Sequence, residues 1–386
     1  MRDRMRRGWA VPALTVLALV ALTGTRGVQA GQTAGQAAGQ TAVAPTYRVD
    51  AAWPKLPDGQ VMGPVAWVSA GANGHVWVLH RPGLVAPEQK AHVAPPVLEF
   101  DERGAFVKGW GGPGAGYDWP TTEHGLHVDL EGNFWVTGSS PNPAPSKESP
   151  TDSMVLKFDR TGAFRLQIGS RTPTAGNHDT KNLGRATSVA VYPPTHEVFV
   201  ADGYGNRRLI VFDAVTGAFK RMWGAFGKPP DAGPVYHGPT GKDPIAPTGD
   251  GPEHFGNPVH CVVVSTDGLV YVCDRTHRRI QVFKTDGTYL TQVFVSRTSD
   301  PSAAGLAFSP DPAQRYLYVA DYGSGRVVVM DRTSLTILTS FGQLGAGPGE
   351  FRGLHAVAVD RAGTVYTAEV GPGNRAQRFV ATGTAR

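Results

Sequence analysis

The sequence predicts an all-β fold, a six-bladed β-propeller whose blades have four strands each. The first observation is a repeated unit of two alternating apolar strands joined by a polar turn that contains Gly132, Gly268 or Gly363, which is typical of a β-hairpin. The second is that two further strands follow the hairpin, as in VYVCDRTHRRIQVFKTDGTYL from Val270 to Leu290. The third is that this four-stranded unit occurs six times, which indicates a ring of blades.

The six copies are recognised by their second strands. A four-stranded sheet cannot bury both of its faces alone, so consecutive blades must stack, and closing the circle removes the exposed ends. The sequence allows two ways of closing the ring. A strand around Tyr47 to Val49 could complete the last blade, or the segment around Phe379 could complete it unaided. The second strands are centred on Trp77, Trp135, Phe199, Tyr271, Tyr318 and Tyr366.

The N-terminal residues predict an exported protein. MRDRMRR is a basic segment, Gly8 to Thr23 is apolar, and Val28-Gln29-Ala30 resembles a cleavage site, so residues 1–30 are predicted to be a signal peptide. The apolar run is short for a membrane span of about 20 residues. We therefore expect a secreted or periplasmic protein with a flexible low-complexity linker at 31–46 and the propeller at 47–386.

Charge argues against nucleic acid as a partner. Residues 1–30 hold five Arg and one Asp, so their removal lowers the formal net charge from +5 to +1. The remaining chain has no Lys/Arg run interleaved with aromatic residues. A small-molecule or peptide substrate is the expected partner, and the oligomeric state is left open.

The two cysteines are placed for a disulfide. Cys261 lies on the first strand of the fourth copy and Cys273 on the second, and a turn near Asp267-Gly268 brings them close to opposite each other. Two buried thiols in contact are the alternative.

Three histidines predict a metal site. His124, His260 and His355 occupy the same position of the repeat in every second copy. First strands line the central channel of a propeller, so these side chains should converge on its axis. Three imidazoles with open positions are the ligand set expected of catalytic zinc. A lone histidine at a strand start is more often a packed polar residue, but strict alternation of three favours metal.

The neighbouring positions support this choice of ligands. The matching residues of the other copies are Ala66, Thr187 and Ala304, which leave room between the histidines. His127 competes with His124, but strand alternation turns it to the opposite face.

The repeats resemble a known family. DGYGNRR and DRTHRRIQVF are similar to NHL repeats, and together with Glu123-His124-Gly125-Leu126, Val259-His260 and Leu354-His355 they resemble peptidyl-α-hydroxyglycine α-amidating lyase. That resemblance covers residues from about 60 to 380. It implies a propeller with Zn²⁺ on three channel histidines and a reaction that cleaves a C-terminal α-hydroxyglycine to a peptide amide and glyoxylate.

The resemblance also implies catalytic residues. The family's Asp-Gly-Tyr is similar to Asp202-Gly203-Tyr204, which makes Tyr204 the base, and its arginines are similar to Arg81 and Arg275, which would bind the substrate. A guanidinium suits a free carboxylate because it donates two parallel hydrogen bonds. Arg208, Arg279 and Arg326 recur after the second strand of three copies and are predicted to be structural residues between blades.

Some positions depart from the family pattern. Where the family tends to have Met-Pro-His-Asp, this chain has Gly353-Leu354-His355-Ala356, so the carboxylate associated with a structural Ca²⁺ is missing. A related hydroxy-substituted substrate is therefore an alternative. Two other functions stay open: a non-catalytic NHL-repeat propeller that binds a peptide or glycan, and a metal-dependent lactonase, whose ligands would be oxygen atoms.

The Pro/Gly-rich insertions between Gly224 and Asn257 and between Ser139 and Ser153 are expected over one mouth of the channel.

Overall fold

The computed structural model describes residues 44–140, 151–233, 245–298, 300 and 302–384. Over these residues the chain forms six four-stranded antiparallel sheets, which confirms the predicted six-bladed propeller. Its only helical segments there are short 3-10 turns, at Pro82–Leu84, Pro87–His92, Pro193–Thr195 and Ala225–Gly227. The described chain contains no helix that is both long and apolar enough to span a membrane.

The strands are numbered in chain order and grouped by blade. The chain enters through β1 (Pro45–Asp50). Blade one holds β2 (Val65–Ala70), β3 (Val76–His80), β4 (Val97–Phe100) and β5 (Phe106–Trp110). Blade two holds β6 (Glu123–Val128), β7 (Phe134–Gly138), β8 (Ser153–Phe158) and β9 (Phe164–Ser170). Blade three holds β10 (Ala186–Tyr192), β11 (Glu197–Asp202), β12 (Arg208–Asp213) and β13 (Phe219–Trp223).

The second half of the chain repeats this order. Blade four holds β14 (Val259–Val264), β15 (Leu269–Asp274), β16 (Arg279–Lys284) and β17 (Tyr289–Phe294). Blade five holds β18 (Gly305–Phe308), β19 (Tyr316–Asp321), β20 (Arg326–Asp331) and β21 (Ile337–Phe341). Blade six holds β22 (Leu354–Val359), β23 (Val365–Glu369) and β24 (Arg375–Thr384).

The ring is closed by the N-terminal strand. Blade six has the order β22-β23-β24-β1, so β1 supplies its outermost strand and the segment around Phe379 does not complete the blade alone. Val49 pairs with Phe379, and the Tyr47 and Tyr318 hydroxyls lie 2.6 Å apart across the interface with blade five. The strand starts at Pro45, two residues before the predicted start of the propeller. The predicted signal peptide and linker residues 31–43 lie outside the described residues.

The hydrophobic core lies between the blades. Buried apolar side chains form a cluster at each of the six interfaces between neighbouring blades. At one of them Trp77 of blade one packs edge-on against Phe134 of blade two, with ring centroids 5.5 Å apart. Each sheet therefore buries both of its faces only by packing against the two neighbouring blades, as the repeat pattern predicts.

The acidic residue that ends the second strand holds the chain entering its own blade. Asp202 accepts hydrogen bonds from the Gly184 backbone N–H at 2.6 Å and from Arg208 Nε at 2.8 Å. Asp274 accepts from the backbone N–H of Gly256 and from Arg279 Nε, both at 2.9 Å. The recurring Asp and Arg of the repeat are therefore explained by structure.

One of the three arginines predicted to be structural needs correction. Arg208 and Arg279 are fully buried and donate to backbone carbonyls of the segments that enter their blades. Arg326 is exposed, so the prediction is wrong for it. The third equivalent is Arg375, whose Nε lies 2.7 Å from Glu369 Oε1 and whose other nitrogens bind the segment before blade six.

Candidate metal centre and active-site cavity

The three histidines lie in β-bulges at the channel end of the first strands. The strand register shifts between Glu123 and Leu126, between Val259 and Cys261, and between Leu354 and Ala356, so each shift encloses one histidine. A bulge re-aims a side chain that regular alternation would place elsewhere. The structure brings His124, His260 and His355 together, with one ring nitrogen of each within 4.8 Å of the others.

Backbone carbonyls of the intervening blades fix the ring orientations. His124 Nδ1 lies 2.8 Å from Thr187 O, His260 Nδ1 lies 2.5 Å from Ala304 O, and His355 Nδ1 lies 2.7 Å from Ala66 O. A carbonyl oxygen only accepts, so each Nδ1 carries the proton and each Nε2 keeps its lone pair. The positions matched to the histidines on the odd blades therefore hold these candidate metal ligands in one tautomer.

The distances suit a bound cation. His260 Nε2 and His355 Nε2 approach to 3.1 Å although both are acceptors in the tautomer just described. Two facing lone pairs repel unless a positive charge lies between them. Zinc–nitrogen bonds of about 2.0–2.1 Å at tetrahedral angles place ligand nitrogens roughly 3.4 Å apart. The donor set therefore fits a zinc ion.

Burial keeps these imidazoles neutral. His124 and His260 are fully buried and His355 is 2% exposed. Loss of solvation, together with nearby positive groups such as Arg81 and Arg275, holds the pKa of each histidine well below its usual range. Neutral imidazole is the form that binds metal, so the protein carries no proton penalty for ligation at neutral pH.

Trp67 lies in the channel beneath the histidines. Its indole is 6.1 Å from the ring of His124, 6.2 Å from His260 and 6.1 Å from His355. It packs against the clusters on opposite sides of the axis, those of blades one and two and of blades four and five. The equivalent residues of the other blades are all small, which leaves room for one indole: Gly125, Ser188, Cys261, Gly305 and Ala356.

Replacing Trp67 with alanine should destabilise the ring more than a typical channel substitution. The change removes packing that bridges opposite blades, and we expect the free energy of unfolding to fall by about 3 kcal/mol. Trp67→Phe should recover part of this loss because it refills the axis. Urea unfolding of the metal-free protein measures both values, and an alanine variant as stable as the parent would contradict the bridging role.

A cavity of about 440 Å³ opens above the histidines. His355 contributes to its floor. Most of its wall comes from one part of the repeat, the first two residues after the second strand of each blade. These residues are Arg81, Ser139, Ser140, Tyr204, Arg275, Tyr322 and Val370, and Leu84 and Thr122 complete the wall.

Two arginines of this wall form no salt bridge in the described chain, although Arg81 lies close enough to the Glu123 carboxyl to interact with it electrostatically. Arg275 is 8% exposed, its Nε has no hydrogen-bond partner, and its guanidinium lies 5.8 Å from the Tyr204 ring and 5.6 Å from the Tyr322 ring. Arg81 is half-buried and uses Nε to donate to Glu123 O at 2.8 Å. Burying a cation without an ion-pair partner costs free energy, so this cavity favours the binding of an anion.

Tyr204 points from blade three to the histidines. Its hydroxyl lies 3.1 Å from His124 Nε2, and its ring centroid lies 5.0 Å from that of His124. Arg185, which the sequence did not single out, holds it on two sides: the Tyr204 N–H donates to Arg185 O at 3.3 Å, and Arg185 Nη2 donates to Tyr204 O. The phenol is thus placed beside the three histidines by the segment that enters blade three.

Two further histidines, His80 and His127, have structural roles. His80 is fully buried, with Nδ1 accepting from the Gly63 N–H at 3.2 Å and Nε2 donating to Pro95 O at 2.9 Å. His127 faces blade three, where its Nε2 accepts from the Val191 N–H at 3.3 Å. Both histidines are therefore committed to backbone groups.

Cys261 and Cys273 form a disulfide beside the site. Their Cα atoms are 4.8 Å apart on paired residues of β14 and β15. Cys261 follows His260, and Cys273 stands two residues before Arg275. The bond therefore ties the strand of His260 to the strand that leads to the cavity residue Arg275.

Fold and site together define a six-bladed propeller with a candidate three-histidine metal centre on its axis and a cationic cavity above it. No protein-family model matches the chain. Among curated proteins it is similar to NHL repeat-containing protein 3 of Mus musculus, with 26% identity over 343 residues, 85% of this chain and 82% of that protein.

A second relative carries the name of an enzyme. The chain is 22% identical over 336 residues to a probable peptidyl-alpha-hydroxyglycine alpha-amidating lyase of Caenorhabditis elegans, covering 81% of each. The two names confirm the resemblance drawn from the repeats and histidine motifs. Among solved structures, a streptogramin B lyase matches with a TM-score of 0.50 at 13% identity, over 87% of this chain and 98% of that one, and this similarity concerns the fold alone.

Proposed function

We propose that this protein is a zinc-dependent carbon–nitrogen lyase that cleaves a C-terminal α-hydroxyglycine, or a related hydroxy-substituted substrate, to an amide and glyoxylate. One observation carries the proposal: the cluster of His124, His260 and His355 lies at the floor of a cavity whose wall holds the phenol of Tyr204 and two arginines that form no salt bridge in the described chain. A relative named as a lyase of this type supports it. The proposed place of action is outside the cytoplasm, as the N-terminal residues predict.

The histidines would hold zinc through Nε2, because Nδ1 of each is committed to a carbonyl. Zinc at this place supplies a Lewis acid that polarises an oxygen of the substrate. We assign no Ca²⁺ site, because Trp67 fills the axis below the histidines and Ala356 stands where the family has a carboxylate.

The cavity residues would bind the substrate and transfer its proton. Arg275 and Arg81 bind the free carboxylate of the substrate, which would give these cations the anion they lack. Tyr204, whose ring lies 5.8 Å from the Arg275 guanidinium, would act as the base that takes the proton of the substrate hydroxyl. The carbon–oxygen double bond of glyoxylate forms as the carbon–nitrogen bond breaks, and the proton passes to the departing amide nitrogen. Atoms and charge balance without an added reactant.

The test is glyoxylate and benzamide release from N-benzoyl-α-hydroxyglycine by the zinc-loaded protein, followed in parallel. Arg275→Ala should lower kcat/KM by about 10²- to 10³-fold, because it removes a buried charge that pairs with the substrate. Arg275→Lys should recover only part of this, since an ammonium does not replace the planar fork. Arg326→Ala removes an exposed arginine of the same face and serves as the matched control.

A non-catalytic binding propeller is the second candidate, because a relative named only for its NHL repeats covers as much of the chain as the lyase does. Equal amounts of glyoxylate and benzamide from the wild-type protein, with a large fall of both in Arg275→Ala, support the lyase. Zinc binding without glyoxylate release leaves the binding propeller. The lactonase alternative would need oxygen donors, whereas the described axial donors are imidazole nitrogens.

A further inference from the structure

We infer that the cavity selects substrates with an apolar group on the amide side of the scissile bond, held by Leu84, Tyr322 and Val370. This inference rests on the proposed lyase function and adds its substrate class. The observation is that the residues of the cavity wall are sorted by chemistry around the ring rather than mixed.

One arc of the wall is apolar. Tyr322 of blade five and Val370 of blade six follow the second strands of adjacent blades. Leu84 continues the arc into blade one, since the short turn Pro82–Leu84 places it over Arg81, where its N–H donates to Arg81 O at 3.1 Å. Leu84 is 57% exposed although it lines a cavity, so it offers apolar surface to whatever enters.

The opposite arc is polar. Thr122, Ser139 and Ser140 of blade two face the cavity between Arg81 and Tyr204. Hydroxyl and backbone groups there suit the amides of a peptide rather than its side chain. None of the described residues that line the cavity is acidic, so both charges present are positive. A cationic group next to the scissile bond would meet two arginines and should be disfavoured.

The positions of the substrate carboxylate and hydroxyl fix the orientation of the substrate in the cavity. The carboxylate belongs with Arg275 and Arg81, and the hydroxyl belongs beside Tyr204 and the histidines, deep in the cavity. The group on the amide nitrogen must therefore leave toward the mouth. Tyr322 touches Arg275 through its ring face, with the guanidinium 5.6 Å away, so the apolar arc begins directly next to the carboxylate position.

The inference is tested with N-acetyl-X-α-hydroxyglycine, in which X is Phe, Leu, Gly or Lys. We expect the wild-type protein to prefer Phe and Leu over Gly by about tenfold or more in kcat/KM, with Lys the poorest substrate. N-octanoyl- against N-acetyl-α-hydroxyglycine shows whether the apolar group is a side chain or an acyl chain. A preference in either series supports the inference and assigns the source.

Matched variants distinguish the effect of the cavity wall on substrate preference from the bond-breaking step itself. Leu84→Asp and Val370→Asp should cut the Phe-over-Gly preference to near one and improve the Lys substrate, while both still release glyoxylate. Leu130→Asp places the same change on an apolar residue that is 74% exposed in the turn between β6 and β7, at the other end of the blade, and should leave the preference intact.

The failures are distinguishable. Equal rates for Phe, Gly and Lys in an active wild-type protein would overturn the apolar arc and leave the lyase function standing. Preference retained in both Leu84→Asp and Val370→Asp would overturn the assignment to this arc. Release of glyoxylate from none of the substrates would overturn both the substrate class and the lyase function on which it rests.

Discussion

Replacing His260 by alanine is expected to reduce bound zinc from about one ion per chain to a small fraction of that. Among the residues that the structure describes, the three imidazoles supply every donor of the site, and His260 and His355 approach each other at 3.1 Å. Two remaining nitrogens cannot complete a tetrahedral site without additional solvent. Elemental analysis after dialysis against a weak chelator measures the loss, and glyoxylate release should fall with it.

Controls must separate lost metal from a lost fold. His124→Ala and His355→Ala should behave as His260→Ala does, because each residue contributes one Nε2 to the same site. His75→Ala changes a histidine at the opposite end of blade one, where it contacts Glu99 at 2.7 Å, and should retain its zinc. Circular dichroism should show an unchanged β-sheet signal throughout. Full zinc content in all three axial variants would rule out this metal centre.

The fold was predictable because the repeat carries its own signals. Alternating apolar residues and glycine turns define each hairpin, and six copies define the ring. Closure by β1 could not be chosen over completion by the segment around Phe379, because both segments have an ordinary strand pattern. Pairing of Val49 with Phe379 depends on where the ring brings its two ends, which local sequence does not encode.

The ligands were found from the sequence for a similar reason. His124, His260 and His355 share one repeat position, so symmetry alone predicts that they meet. What symmetry did not reveal was the bulge that turns each of them inward and the carbonyl that fixes its tautomer. Backbone carbonyls are the same in every residue, so no side-chain pattern marks them.

Single departures from the repeat were harder to read. Trp67 resembles an ordinary core residue of β2, and its axial position follows only when it is compared with five small equivalents on the other blades. Tyr322 follows Asp321 directly, whereas Tyr204 stands two residues after Asp202, so their common position on the wall is hidden by loop length. Arg326 was misassigned because its place in the repeat matches Arg208 and Arg279, whereas its side chain is exposed and theirs are fully buried.

Replacing Tyr204 by phenylalanine is expected to lower kcat by about 10²- to 10⁴-fold, the range for loss of a positioned acid–base group. The substitution removes one oxygen and keeps the ring between His124 and Arg275, at 5.0 and 5.8 Å. KM should change little, because the arginines and not the phenol bind the carboxylate. Zinc content should also be unchanged, since the hydroxyl is a neighbour of His124 Nε2 at 3.1 Å and not one of the three nitrogen donors.

The kinetic pattern distinguishes a base from a packing residue. An interaction made only in the transition state lowers kcat and kcat/KM by the same factor, whereas a misplaced binding site raises KM and lowers thermal stability. Tyr117→Phe is the matched control, because it removes a phenol oxygen that donates to Gly112 O at 3.0 Å, away from the cavity. Its activity should equal that of the wild type. If Tyr204→Phe does so too, the proton is taken by another group, and the cavity residues serve only to bind and orient the substrate.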